Sequence, residues 1–270
     1  MKYSKPQAHF RWLLLGATLT AAGSLALLSG CKGNTTSAAL PEHHVGPPPV
    51  LVAMPVTIES QNRDLTSSGW QATSWMPFSS TIDSTLMTPS TRAAALYSPA
   101  MLYLAAISTK STDLSSTCTD SISFYLDTQA AGKELLEVRT DPTGKTVCTW
   151  MRSNAPAQPL EDGSPNLGFP VFSTPNIVVK GLTCQTTETT TPEGAAWTAV
   201  VGIPLASLPT PMQVAPKPGT AWKLNIVRTI TQPAAGGTRT QRLESNLSPI
   251  FSGAQAVSPY RMAELQLAQP

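Results

Sequence analysis

The chain has 270 residues, and only 13% of them are charged, with 18 basic against 16 acidic side chains. Three basic residues, Lys2, Lys5 and Arg11, stand near the amino terminus, so the rest of the chain holds 15 basic against 16 acidic residues and is nearly neutral. With this balance, no basic patch indicates nucleic-acid binding and no charge run indicates a polyionic partner. The 25 prolines argue against long helices.

The first 30 residues have the pattern of an export signal. The basic start is followed by an uncharged stretch rich in Leu and Ala, Trp12–Gly30, which ends in small residues. The tetrapeptide Leu28-Ser29-Gly30-Cys31 resembles the lipobox of bacterial lipoproteins, which implies cleavage before Cys31 and a diacylglycerol on its thiol. Ordinary cleavage and an uncleaved membrane anchor are the alternatives. Some Gram-negative lipoproteins are retained at the inner membrane by an Asp at the position of Lys32. We therefore expect a lipid-anchored cell-envelope protein, at the outer membrane if the cell is Gram-negative.

Residues 31–55 are predicted to form a flexible, disordered tether. They include His43, His44 and the prolines Pro47–Pro49, and they show little of the apolar periodicity that a packed element needs. The remaining stretch, 56–270, has a length suited to one all-β domain. The predicted organisation is thus a signal at 1–30, a tether at 31–55 and a single domain at 56–270.

Alternating apolar residues indicate strands in the middle of the domain. Ile122, Phe124 and Leu126 share one face of a strand that ends at Asp127. Leu135–Thr140 and Lys145–Met151 form a predicted hairpin, since the turn signal Asp141-Pro-Thr-Gly144 joins them.

Further strands are predicted beyond a Pro-rich loop at Asn154–Pro175. A strand is expected at Ile177–Thr186, and a short helix after Pro204. The remaining strands are marked by the apolar series Trp197, Ala199, Val201, Ile203, then Trp222, Leu224, Ile226, and finally Met262–Leu267. Many short strands at this spacing predict an all-β fold, a single antiparallel β-sandwich of the jelly-roll or immunoglobulin-like type.

The order of these segments resembles the carbohydrate-binding domains of family 9 and their DOMON-like relatives. The shared motifs are the early Trp70, the apolar strand Met101–Ala105, the strand Asp120–Asp127 ending in Leu-Asp, the turn at Gly144, the strand Trp197–Pro204 ending in Ile-Pro, the series Trp222, Asn225, Arg228, and Pro259 before the last strand. The resemblance implies a glycan-binding β-sandwich. Where family members place a Glu on the Ile-Pro strand, this chain has Val200.

Arg228 is predicted to have a structural polar role. Strict alternation places it on the apolar face of Trp222, where a guanidinium needs a carboxylate or several carbonyl partners. In family members, the Glu that Val200 replaces here could be this partner. In this chain the partner is expected to be Asp120, Asp127 or Glu244, unless Arg228 lies beyond a bulge at the strand end.

Sugar binding by such domains usually needs aromatic rings that stack on the pyranose. Trp70, Trp197 and Trp222 sit in apolar patterns and are expected in the core. Trp75, Trp150 and Tyr260 have polar or loop neighbours, so they are the ligand-binding candidates, with partly buried packing as the alternative.

Three cysteines remain in the domain, and export favours oxidation. Cys148 and Cys184 are the preferred disulfide pair because both lie in predicted strands, which leaves Cys118 over. Any metal site is unknown, and no cofactor is expected apart from the option of a structural calcium. Its oxygen ligands would come from Asp120, Asp127, Asp141 and Glu161-Asp162.

The domain contains no histidine, which excludes a Ser-His-Asp triad, and no context singles out a pair of carboxylates for glycoside hydrolysis. We therefore expect no enzyme. The predicted function is a membrane-anchored, non-catalytic lipoprotein that binds a glycan or glycan-derived ligand at the cell envelope. The alternative is a structural or assembly lipoprotein whose sandwich binds another envelope protein.

Overall fold

The computed structural model describes residues 47–57, 65–80, 90–110, 118–152, 172–233, 240–248, 257 and 261–269. All of them belong to the unit His44–Pro270. The predicted signal segment, Cys31 and Tyr260 lie outside the described residues. Among those described, no helix has the length and apolar character needed to cross a membrane.

The described part of the chain is built almost entirely of strands. Its strands are β1 Val50–Pro55, β2 Met76–Pro77, β3 Ser79–Ser80, β4 Thr91–Tyr97, β5 Met101–Thr109, β6 Thr119–Asp127, β7 Glu134–Thr140, β8 Thr146–Arg152, β9 Phe172–Pro175, β10 Thr183–Thr191, β11 Gly194–Pro204, β12 Ala221–Pro233, β13 Thr240–Asn246 and β14 Ala263–Leu267. A short helix, α1, spans Ser68–Ala72, and Leu205–Ser207 form one turn of 3-10 helix. The predicted helix after Pro204 is therefore confirmed as one turn.

The strands form one curled sheet in the order β10-β11-β5-β4-β1-β14-β12-β6-β7-β8-β9. Strand β13 pairs with β12 and with β3, and β2 pairs with β4. The sheet folds onto itself, because one apolar cluster joins residues of β4, β5 and β11 to residues of β6, β7, β8 and β12. The predicted all-β sandwich is confirmed.

Period-two alternation explains which side chains fill this core. Ile122, Phe124 and Leu126 of β6 are all buried in it, as the sequence predicts. The same holds for the apolar series of β11 and β12, including Trp197 and Trp222. The intervening residues of these strands point to the opposite face, and on β6, β7 and β12 that face carries polar side chains.

Strand β1 differs most from the sequence-based expectation. Residues 50–55, assigned to the tether, form a strand inside the sheet whose Leu51 and Ala53 are buried. Both neighbours of β1, the strands β4 and β14, run parallel to it, so the sandwich is mixed rather than purely antiparallel. Only the first four of its six residues alternate between exposed and buried. That stretch is too short to indicate a strand from the sequence, because prolines directly precede it.

Two further boundaries were wrong. The end of the predicted Pro-rich loop, Phe172–Pro175, forms strand β9 at one edge of the sheet. The strand expected at Ile177–Thr186 begins only at Thr183 and continues to Thr191. Its Thr-rich second half is largely exposed, so it lacks the apolar signal that marks a buried strand.

A second apolar cluster covers the outer face of β4, β5 and β11. Trp70 of helix α1 is buried there against Leu96, Tyr103 and Val200. Val200 therefore faces away from the inner side of β11, on which Trp197 lies. In this fold, a Glu at this position would point away from the core that holds Arg228.

Candidate functional site

A groove of about 870 Å³ lies on the outer face of β6, β7, β12 and β13. It continues over the end of the sandwich at the turn between β7 and β8. Its described lining consists of Lys110, Cys118, Thr119, Asp120, Ser121, Ser123, Tyr125, Glu137, Arg139, Thr140, Asp141, Pro142, Thr143, Lys145, Val147, Trp197, Thr229, Thr231 and Arg242. Most of these side chains are polar because they occupy the outward positions of strands whose other residues fill the core.

The floor of the groove is a hydrogen-bonded group on β6 and β7. The Glu137 side chain is only 8% exposed, and its Oε1 accepts hydrogen bonds from Ser123 Oγ at 2.8 Å and Tyr125 Oη at 3.2 Å. Tyr125 stands directly opposite Glu137 in the strand register, and Ser123 stands opposite Arg139. The β6–β7 pairing therefore brings a carboxylate, two hydroxyls and a guanidinium onto one patch.

Burial, and secondarily the negative charge of Glu137, raise the pKa of the Tyr125 phenol above its ordinary value. Tyr125 therefore remains a neutral donor at any physiological pH and holds Glu137 Oε1 in place. A fixed carboxylate at the bottom of a concave polar surface is a hydrogen-bond acceptor for hydroxyl-bearing ligands.

The rim of the groove carries cationic side chains. Arg139 and Lys145 are exposed and form no ion pair with another described residue. Arg242 is paired with Glu244, yet its side chain remains 65% exposed. Lys145 is positioned by the turn, because Asp141 Oδ1 accepts hydrogen bonds from Thr143 N at 2.9 Å and Lys145 N at 3.1 Å.

One end of the groove rests on a buried ion pair. Arg228 is 1% exposed, and its Nε and Nη2 donate to the two Asp120 oxygens at 3.0 and 2.7 Å. Nη2 also donates to Thr109 O at 2.9 Å, and Nη1 to Thr91 Oγ1 at 3.3 Å. Trp197 Nε1 donates to Asp120 Oδ2 at 2.9 Å. Arg228 of β12 thus connects β4 and β5 on one side of the sandwich to β6 on the other.

Asp120 is the partner of Arg228 among the three carboxylates that the sequence offered. Asp127 instead accepts the backbone N–H groups of Gln129 and Gly132, at 2.8 and 2.7 Å, in the β6–β7 turn. Glu244 lies on the outer face with Arg242. Within the described ranges, no group of three or more His, Cys, Asp or Glu side chains could hold a metal ion.

The two described aromatic candidates do not lie in the groove. The Trp75 ring lines a separate cavity of about 280 Å³, between Trp70 at 6.1 Å and the Arg92 guanidinium at 5.8 Å from its centroid. Trp150 lines neither cavity. Its Nε1 donates to Glu134 Oε2 at 2.6 Å, and the Arg152 guanidinium lies 4.5 Å from its ring centroid. Tyr260 lies outside the described residues.

The predicted disulfide between Cys148 and Cys184 is absent from the structure, since both are free thiols, as is Cys118. The two cysteines nevertheless belong to the same apolar cluster, and Cys184 Sγ is directed to Thr140 Oγ1 at 3.4 Å. Burial and the proximity of Cys184 raise the pKa of the Cys148 thiol to about 11.

No protein-family model matches the chain, and no curated protein matches it by sequence. Solved structures do match. A family 9 carbohydrate-binding module from Caldicellulosiruptor kristjanssonii in complex with cellotriose is 13% identical, with a TM-score of 0.50 over 82% of this chain and 94% of that one. Its glucose complex gives the same identity and TM-score and is covered to 96%. A protein from Bacteroides uniformis assigned as carbohydrate-binding is 10% identical, with a TM-score of 0.56 and 99% of its length covered.

These likenesses establish the class of fold. The described domain is a β-sandwich of the carbohydrate-binding-module type, similar to family 9, as the order of sequence motifs indicates. Because the identities are low, the likeness concerns the backbone and leaves the binding residues of this chain to be argued from its own groove.

Proposed function

We propose that the domain is a non-catalytic glycan-binding module with the groove as its binding site, held at the cell envelope by a lipid on Cys31. The observation that carries the proposal is the groove floor. Glu137 is a buried acceptor fixed by Ser123 and Tyr125, and Arg139 supplies donors beside it. Sugar hydroxyls donate and accept at once, so a groove that offers both an acceptor and donors suits them. The fold shared with modules solved with cellotriose and glucose supports the same assignment.

A binding role rather than hydrolysis is supported by the state of the groove carboxylates. A glycosidase needs two carboxyl groups that face the scissile bond. Asp120 is held bidentately by Arg228, and Asp141 Oδ1 is bonded to the turn that it caps. Glu137 therefore has no second carboxylate in the described lining that is free to act with it.

The test is a titration of the mature chain with xylo-, cello- and uronate-containing oligosaccharides after a glycan-array screen. Glu137→Gln keeps the shape of the side chain but removes its charge, so we expect affinity to fall about tenfold, since hydrogen bonds to charged groups contribute about 1.5–3 kcal/mol. The matched control is Glu264→Gln on β14, outside the groove, which should bind as the parent does. A folded protein that binds no glycan would refute the glycan proposal. In that case, a stoichiometric envelope protein purified with it would favour the assembly alternative.

Anchoring by Cys31 is supported by the sequence alone. Residues 32–49 separate this cysteine from β1, and a fully extended segment of that length spans at most roughly 60 Å. Replacement Cys31→Ser removes the only thiol that could carry the lipid at this position. We expect the variant to move from the membrane fraction to the soluble exported fraction and to lose labelling by a radioactive fatty acid. An unchanged distribution and unchanged labelling would refute lipidation.

A further inference from the structure

The charges of the groove are separated by depth. Its carboxylates are engaged, since Glu137 is bonded to two hydroxyls, Asp120 to Arg228 and Asp141 to its own turn. Three of its cations, Arg139, Lys145 and Arg242, are exposed, and the first two make no ion pair with any other residue that the structure describes. A ligand therefore meets positive charge at the rim and a fixed acceptor at the floor.

The described lining of the groove offers little aromatic surface for stacking. Two aromatic residues belong to its described lining, Tyr125 and Trp197. The Trp197 side chain is 1% exposed and packs in the core. The Tyr125 ring packs against Val227 and the cluster around Leu135, and its hydroxyl is bonded to Glu137. A neutral sugar usually gains much of its affinity from a free ring face. Recognition here must depend more on hydrogen bonds and charge.

We propose that the groove binds an acidic glycan, with the carboxylate of a hexuronate residue on Arg139 and its ring hydroxyls on Glu137. This inference rests on the proposed glycan-binding function. A guanidinium matches a carboxylate with two parallel hydrogen bonds, which gives geometry as well as affinity. Residues i and i+2 of a strand are about 7 Å apart on the same face. One hexuronate residue can span that separation, since its carboxylate and its hydroxyls lie on opposite sides of the ring. Lys145 and Arg242 add to the positive field along the rim.

The experiment compares two matched probes, trigalacturonate and the same trisaccharide after reduction of its carboxylates to alcohols. Binding to the mature chain is measured by calorimetry at low and at moderate salt. The acidic probe should bind at least about tenfold more tightly, as expected for charge-assisted hydrogen bonds. That preference should shrink as salt rises, because the rim cations are exposed to screening.

Arg139→Gln should bring the ratio of the two affinities close to one. The matched control is Arg152→Gln, which alters an exposed arginine stacked on Trp150 outside the groove, and it should keep the full preference. Melting curves establish that each variant is folded. A polyglutamate of similar charge tests for binding to any polyanion.

The outcomes separate this inference from the function on which it rests. Equal affinity for both probes, or a preference that survives in Arg139→Gln, would overturn the acidic-glycan assignment and leave glycan binding intact. Polyglutamate bound as tightly as trigalacturonate would also overturn it, because the sugar hydroxyls would then contribute nothing. Absence of binding to every acidic and neutral glycan, with a folded protein, would overturn both.

Discussion

Replacing Asp120 with Ala should destabilise the fold severely, because it removes the only described carboxylate that contacts the Arg228 guanidinium. Breaking a buried ion pair by removing one partner costs about 3–5 kcal/mol. The variant also leaves Trp197 Nε1 without its acceptor, and an unsatisfied buried donor costs about 1–3 kcal/mol. The guanidinium keeps Thr109 O and Thr91 Oγ1 as acceptors. We therefore expect the free energy of unfolding to fall by about 4 kcal/mol.

Urea denaturation followed by tryptophan fluorescence measures this loss as a lower midpoint at constant slope. In a thermal scan, 4 kcal/mol corresponds to a decrease of about 8–16 °C for a domain of this size. The control is Glu188→Ala, which removes the Lys110–Glu188 pair, whose side chains are 37% and 77% exposed. Such exposed pairs contribute only about 0–1 kcal/mol.

The double variant Asp120→Ala/Arg228→Met distinguishes a buried charge that has lost its carboxylate from a general packing defect. It should be more stable than Asp120→Ala alone, because the guanidinium that has lost its carboxylate is gone and an apolar chain fills its place. A loss below about 1 kcal/mol in Asp120→Ala, similar to the Glu188→Ala control, would refute the reasoning. So would a double variant whose losses simply add.

Two further predictions concern buried titrating groups. Burial raises the pKa of Asp127 above its ordinary 3.8 despite the backbone N–H groups that bond to it, so folding favours the protonated form. The contribution of Asp127 to the free energy of unfolding is fully present below pH 3.8 and is lost as pH rises through the raised pKa. Parent protein should therefore lose unfolding free energy relative to Asp127→Asn over that window, and a pH-independent difference would contradict it. Burial raises the pKa of the Cys148 thiol to about 11. Iodoacetamide at pH 8 should therefore label Cys118 and spare Cys148 until the chain unfolds. Equal labelling of both thiols in the folded chain would contradict this.

The core was predictable because its strands follow a simple rule. Alternation along β6, β11 and β12 identifies their buried residues without any knowledge of partners. Strand β1 could not be predicted in the same way, because its hydrogen bonds come from two parallel strands in distant parts of the sequence. No local turn announces such a pairing.

The groove was only half visible in the sequence. Ser123, Tyr125, Glu137 and Arg139 are the polar members of predicted alternating strands, so their outward direction could be inferred. Their meeting depends on the β6–β7 register, which the turn between the strands sets. Trp150 was predicted as a ligand-binding residue because its neighbours in the sequence are polar. That context does not reveal that Arg152 covers the Trp150 ring.

The position of β1 has a mechanical consequence for a chain held by its amino terminus. Tension between a lipid at Cys31 and a glycan in the groove would enter the domain through β1. This strand is bonded along both edges, to β4 on one side and β14 on the other. A pull along its axis has to shear both ladders together, whereas an edge strand can be unzipped one hydrogen bond at a time. In a chain anchored in this way, the load would enter the sheet at a strand that is bonded along both edges.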